Sequence, residues 1–216
     1  MRRRHIIFLT EREIFLTIAA ITNRLLCREP FLERVHKIAD AAPDIIVLRE
    51  PDLNDADYAA LAGECREIAR RRKVLFAAHS HAAVAAKIEA DYLWLPLKEF
   101  NECDDFDAAD SAKIIVSAHS SEEASEAARR GAAAVVAGHI FATDCKPGFA
   151  PRGLEFLRGI VRTLPPQFPT LAIGGITPQN VRAVAEAGAA GVCAMSSAMT
   201  CAEPAALFNQ LRIESK

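Results

Sequence analysis

Apolar residues in this chain gather in short unbroken runs, separated by longer stretches in which apolar and polar positions recur with helical spacing. The runs fall at residues 18–22, 44–49, 74–78, 91–95, 114–117, 134–138, 170–174 and 191–196. Each is apolar at successive rather than alternate positions, the pattern of a parallel strand covered on both faces. Between them, amphipathic patterns predict helices over 30–41, 55–71, 82–89, 122–130, 154–164, 178–187 and 203–211, and the acidic segment 98–110 predicts a short or poor helix. Eight strands alternating with helices in a chain of 216 residues predict an α/β protein, a TIM (β/α)8 barrel in a single domain over 1–216. A doubly wound open sheet is the alternative arrangement. Residues 1–16 precede the first run and are expected to form an N-terminal extension, a strand or helix added under the barrel floor.

Helix ends carry chemical marks. Ser120 to Glu123 reads as a capping box, with Ser120 at the N-cap and Glu123 three residues on. Asn54 is placed to cap the second helix, and Thr177-Pro178 reads as a capping hydroxyl followed by a first-turn proline. Gly131 and Gly188 follow the last periodic positions of their helices, as C-terminal caps do.

Composition narrows the function more than the fold. A net charge of −2 gives no reason to expect nucleic acid or a membrane surface as partner. The six cysteines, at 27, 65, 103, 145, 193 and 201, never form C-x-x-C. That argues against structural zinc or a redox pair and for reduced thiols in a cytoplasmic protein. Three arginines followed by the apolar stretch 5–9 faintly resemble a signal peptide, but the stretch is short and Glu11-Arg12-Glu13 interrupts it. A homodimer is compatible with the sequence.

In a barrel, chemistry gathers where the strands end at their C-terminal side. Those ends here are Thr22-Asn23-Arg24, Arg49-Glu50, His79-Ser80-His81, Trp94, Ser117-Ala118-His119, Gly138-His139, Gly174-Gly175 and Met195-Ser196-Ser197. Gly174-Gly175 opens a helix after strand seven, and Ser196-Ser197 closes strand eight. Strands seven and eight of such barrels commonly build a phosphate site from backbone N–H groups, so Gly174, Gly175, Ser196 and Ser197 are candidate phosphate ligands. The plainer alternative is that the two glycines only make a tight turn.

The stretches Ile21-Thr-Asn-Arg24, Ile46-Val-Leu-Arg-Glu50, Ser117-Ala-His-Ser120, Gly138 to Gly148 and Ala172-Ile-Gly-Gly-Ile176 resemble the thiamine phosphate synthase/TenI superfamily, over about residues 21–211. The loop reads G-H-x-F-x-T-D-C-K, the form of the TenI branch, which is known for thiazole tautomerase activity. Departures from the synthase pattern point the same way. His79-Ser80 stands where synthases carry Asn-Asp, whose Asp helps hold Mg²⁺ on the substrate pyrophosphate, and a hydroxyl is a poor ligand for a hard cation beside a carboxylate. Pro51 stands where synthases carry Lys after Arg-Glu, and Trp94 and Leu97 replace their strand-four His and Gln; Glu99 remains as a second acid.

The resemblance implies a small-molecule substrate, a carboxylated thiazole phosphate, and a proton shift that aromatises its ring without metal or cofactor. His119 matches the family's catalytic histidine, and its ordinary pKa suits a group that is base and then acid. Its alternative role is to cap the helix begun at Ser120. Arg49, Thr143, Lys146 and His139 are the candidate substrate contacts, able to hold the carboxylate and stabilise charge. Alternatively, Arg49 and Lys146 pair with Glu50 and Asp144 as surface salt bridges. Cys145 reads as a passive loop thiol. Two other classes remain: a metal-dependent hydrolase drawing on His79, His81, His119 and His139, and a non-catalytic sensor that keeps the phosphate site.

Overall fold

The computed structural model describes residues 16–102, 112–145 and 148–212. Eight parallel strands close into a barrel in sequence order: β1 (Thr17–Ile21), β2 (Ile45–Leu48), β3 (Leu75–His79), β4 (Tyr92–Pro96), β5 (Lys113–Ala118), β6 (Ala134–Gly138), β7 (Thr170–Ile173) and β8 (Gly191–Ala194). β8 pairs with β1, so no edge is left open. This is the expected (β/α)8 barrel, and the doubly wound alternative is excluded.

Strand periodicity explains why the apolar runs are unbroken. Side chains at one parity (Ile21, Val47, Ala77, Trp94, Ile115, Val136, Leu171 and Cys193) fill the barrel interior. Those at the other (Ile18, Ile46, Phe76, Leu93, Val116, Val135, Ala172 and Val192) pack outward against the helices. Central strand positions therefore meet apolar surface on both faces, and each large side chain buried this way contributes roughly 1.5–3 kcal/mol. At the floor, Asp44 accepts from Ile18 N at 2.8 Å and Asp91 from Phe76 N at 2.9 Å, so carboxylates satisfy strand-start amides that the ladder leaves open.

The helices are α1 (Phe31–Asp40), α2 (Asp55–Arg72), α3 (Ala82–Lys87), α4 (Leu97–Glu102), α5 (Ser121–Arg129), α6 (Gly153–Thr163), α7 (Val181–Glu186), α8 (Ser196–Thr200) and α9 (Pro204–Leu211). Asn54 caps α2 through Asp57 N at 3.0 Å, as expected. Ser120 caps α5 through Glu123 N at 3.1 Å, while the Glu123 carboxylate takes the His119 N–H at 2.6 Å. Gly131 and Gly188 have positive φ beyond their helices, as C-terminal caps.

Two expectations need correction. Thr177-Pro178 does not open α7: residues 177–180 form a turn, in which the Asn180 side chain accepts from Thr177 N at 2.8 Å, and the helix starts at Val181. Ser196-Ser197 does not close strand eight: β8 ends at Ala194, and Ser196 begins the short helix α8, which the apolar run did not reveal. Of the acidic segment 98–110, the part to Glu102 lies in α4 and the remainder falls outside the described residues, as does all of the proposed extension except Leu16.

Candidate active site

The upper rim of the barrel is tied together from below. Glu50, 2% exposed, follows β2 and accepts from the Thr22 hydroxyl at 2.7 Å and from Arg24 N at 3.0 Å. The Arg24 guanidinium reaches Glu50 at 3.3 Å and clamps Asp52 with both nitrogens. The alternative role of Arg49, a salt bridge to Glu50, is therefore absent. Glu50 is committed to the β1 end, and among the described residues Arg49 makes no ion pair. Arg49 continues the inward parity of β2 beyond Val47, and the register Leu48↔Ala78 brings it beside His79 at the same level of the barrel; its charge opposes protonation of that imidazole.

His79 ends β3 at the same inward parity as Leu75 and Ala77. Its Nδ1 lies 3.0 Å from Ser80 Oγ, and that hydroxyl donates to Glu99 Oε1 at 3.3 Å. Since the carboxylate can only accept, Ser80 gives its proton to Glu99 and receives the Nδ1–H of His79, which leaves Nε2 with a bare lone pair. Burial, then the Arg49 charge, then His81 lower the imidazole pKa to about 4. The Trp94 ring sits 5.7 Å from that of His79, and its Nε1 donates to Ser117 Oγ at 2.8 Å. Neighbouring His81 turns away because Ser80 adopts φ 66°. It stacks on Tyr58 with ring centres 3.7 Å apart and meets Asp55 at 2.8 Å.

His119 lies just past β5. Its Nδ1 is 3.3 Å from the Gly138 carbonyl, an acceptor only, so Nδ1 carries the proton and Nε2 is free to accept one. The Arg152 guanidinium donates to the His119 carbonyl at 2.7 Å and fixes its backbone. The imidazole takes no part in capping α5, whose N-cap is Ser120. His119 also walls an open cleft with Leu97, Lys98, Asn101 and Glu102.

The phosphate candidates lie two and three strands further round. Gly174 (φ 101°) and Gly175 (φ 63°) do more than turn the chain. A Cβ on Gly174 would stand 2.4 Å from His139 Cβ, and one on Gly175 would stand 2.3 Å from the Ala142 carbonyl oxygen. Their bareness lets the β6–α6 loop lie against the β7–α7 turn. Among the described residues, the N–H groups of Gly174, Gly175, Ser196 and Ser197 find no protein acceptor. Such amides are a donor set for an anion, and α8 is the short extra helix that barrels place here. Cys145 Sγ meets Ser196 Oγ at 3.0 Å, bringing the loop to this rim, with Thr143 supporting Cys145 N at 3.3 Å.

His139 departs from expectation. It is 7% exposed beneath its own loop, with Nε2 3.4 Å from the Phe149 carbonyl and Nδ1 buried without a hydrogen-bond partner among the described residues. It supports the loop rather than facing the mouth. Lys146 falls outside the described residues. His79 and Ser80 were noticed in the sequence as departures from a pattern and Glu99 as a stand-in for a second acid; their mutual contact was not. No group of three metal-ligating side chains forms among the described residues, and with His81 and His139 turned away from the mouth a histidine metal centre finds no support.

A family model described as thiamine monophosphate synthase matches residues 18–198. A putative thiamine-phosphate synthase 2 of Aquifex aeolicus is 32% identical over 82% of this chain and 94% of its own length. The thiamine-phosphate synthase of Moorella thermoacetica is 33% identical over 89% and 91%. Among solved structures, the thiamine phosphate pyrophosphorylase of Pyrococcus furiosus superposes with a TM-score of 0.77 at 28% identity, covering 91% of this chain and 93% of that one. A 3-hexulose-6-phosphate synthase, at 20% identity and a TM-score of 0.66, shares the fold.

Proposed function

The chain belongs to the thiamine monophosphate synthase family, and we propose that within thiamine biosynthesis it acts as a thiazole tautomerase on a carboxylated thiazole phosphate. The observation that carries this reading is the state of His119, with one ring nitrogen held by the Gly138 carbonyl and the other free to take a proton. Nε2 removes the proton from the ring carbon beside the carboxylate. The electron pair moves through the ring to the exocyclic alkylidene carbon, which takes the proton back from Nε2. The proton is conserved, the ring becomes aromatic, and neither metal nor cofactor enters the step. Negative charge that builds on the carboxylate during the shift is met by Arg49, with Lys146 and Thr143 as further candidate contacts. The phosphate sits on the amides of Gly174, Gly175, Ser196 and Ser197, which anchor the substrate at its far end and so position the reacting carbon at His119.

The second reading, thiamine-phosphate synthase, is favoured by the names of the relatives. Against it stands the donor set after β3. The Ser80 hydroxyl is engaged by His79 and Glu99, and a neutral imidazole flanks it where synthases offer a carboxylate to the pyrophosphate-bound cation. Side-by-side assays on one preparation separate the two. Conversion of the thiazole tautomer without thiamine phosphate formation supports the tautomerase. Mg²⁺-dependent joining of pyrimidine pyrophosphate and thiazole phosphate at a synthase's rate replaces it with the second reading.

A further inference from the structure

The inward-facing pair Arg49 and His79, with Ser80 and Glu99 behind it, forms a charge-balanced unit at the top of the barrel. In the free protein the guanidinium and the Glu99 carboxylate offset each other, and His79 is neutral. Nε2 then carries the lone pair, and Arg49 is its neighbour at the inward-facing end of β2. An anion entering beside them meets an attractive cation and a repulsive lone pair, unless the imidazole gains a proton. With a proton gained, Nε2 becomes a donor to the anion, Nδ1–H remains on Ser80, and the Ser80 hydroxyl remains on Glu99. The four charges (Arg49, His79, Glu99 and the anion) then sum to zero again.

We propose that Arg49 and His79 form a single carboxylate subsite that takes up one proton as the carboxylate binds. The proposal rests on the reading of the substrate as a carboxylated thiazole phosphate, and it assigns the carboxylate to the β2–β3 side of the mouth. The phosphate is left on β7 and β8, and the reacting carbon lies between them beside His119.

The surroundings support proton uptake on binding and not before. Desolvation acts first to keep His79 neutral, Arg49 second and His81 third. His81 is itself turned to Asp55, and Tyr58 on α2 accepts the His79 backbone N–H at 3.0 Å without touching the ring chemistry. Trp94 closes the β4 side without a charge. The one contribution that a ligand can cancel is that of Arg49. A bound carboxylate neutralises the guanidinium and adds its own attraction, and an opposite charge at contact distance raises a pKa by about 1–3 units. Starting from about 4, this carries the imidazole into the range where it is protonated at mildly acid pH.

The test is calorimetry of the full chain at pH about 5.5, in two buffers of different ionisation enthalpy, with two probes: the aromatic carboxylated thiazole phosphate and the same compound without the carboxyl group. The difference between the probes isolates the carboxylate from the titration of the phosphate. The expected result is an extra uptake of about 0.2–1 proton for the carboxylated probe, lost in His79→Gln, which keeps a polar side chain at the site. A ¹⁵N imidazole spectrum of the complex should show the His79 signal, identified by its loss in His79→Gln, moving to the charged form. Equal proton uptake by both probes, or uptake unchanged in His79→Gln, overturns the subsite while leaving the tautomerase reading intact. Failure of the carboxylated probe to bind, with the decarboxylated one bound, overturns the substrate reading and the subsite with it.

Discussion

Gly174→Ala offers a direct measure of how closely the β6–α6 loop is held against the β7–α7 turn. Two costs act together. The backbone at φ 101° lies in the region that a Cβ disfavours, which costs about 1–2 kcal/mol. The new Cβ would also stand 2.4 Å from His139 Cβ and 2.8 Å from His139 Cα, well inside van der Waals contact. His139 is buried, so backbone must move, at a further cost of roughly 1–3 kcal/mol. The substitution should therefore remove about 2–5 kcal/mol, which for a domain of this size lowers the melting midpoint by roughly 5–20 °C. Gly131→Ala is the matched control. It has φ 93°, and nothing lies within 4 Å of its added Cβ, so only the conformational cost applies. Urea titration of both variants, alongside binding of inorganic phosphate, reads the result. Gly174→Ala should be the less stable of the two, with weaker phosphate binding as the loop is pushed from the rim. Equal destabilisation of the two variants would refute the close-approach argument.

Two further outcomes follow from the same geometry. The unfolded chain binds a proton at His79 from about pH 6.5 downward, whereas the folded chain binds it only near pH 4; stability from this group is full above about 6.5 and declines by up to about 3 kcal/mol as the pH falls toward 4. Urea midpoints should thus fall less between pH 7 and about 4.5 in His79→Gln than in the parent, and identical slopes would contradict the neutral imidazole. Tyr58→Phe removes a hydroxyl that donates to the Leu48 carbonyl at 2.7 Å and accepts from His79 N at 3.0 Å; leaving both buried groups unpaired should cost about 1–3 kcal/mol, and an unchanged urea midpoint would show that water replaces it freely.

The barrel was legible because its strands are covered on both faces, which turns a three-dimensional arrangement into apolar runs along the chain. Helix starts were legible where a side chain caps its own helix, as at Asn54 and Ser120. They were misread where a turn of similar composition intervenes: Asn180 uses its side chain to close the Thr177 turn rather than to begin a helix. The short α8 is little more than one turn, too brief to show a helical period. Rim contacts were the least legible, because they join ends of different strands. Glu50 sits next to Arg49 in sequence yet bonds to the β1 end, and Ser80 meets Glu99 across nineteen residues. His79 and His81 look equivalent on paper until the positive φ of Ser80 sends them to opposite sides.

The central claim is that His119 carries the proton. Turnover of the carboxylated thiazole tautomer by His119→Asn tests it most directly. Asparagine keeps a polar side chain beside the Gly138 carbonyl but cannot accept the proton. A loss of about a hundredfold or more in kcat, the usual size of general acid–base catalysis, with phosphate-dependent binding retained, is the predicted result. Turnover near that of the parent would contradict the account and require another base at the mouth.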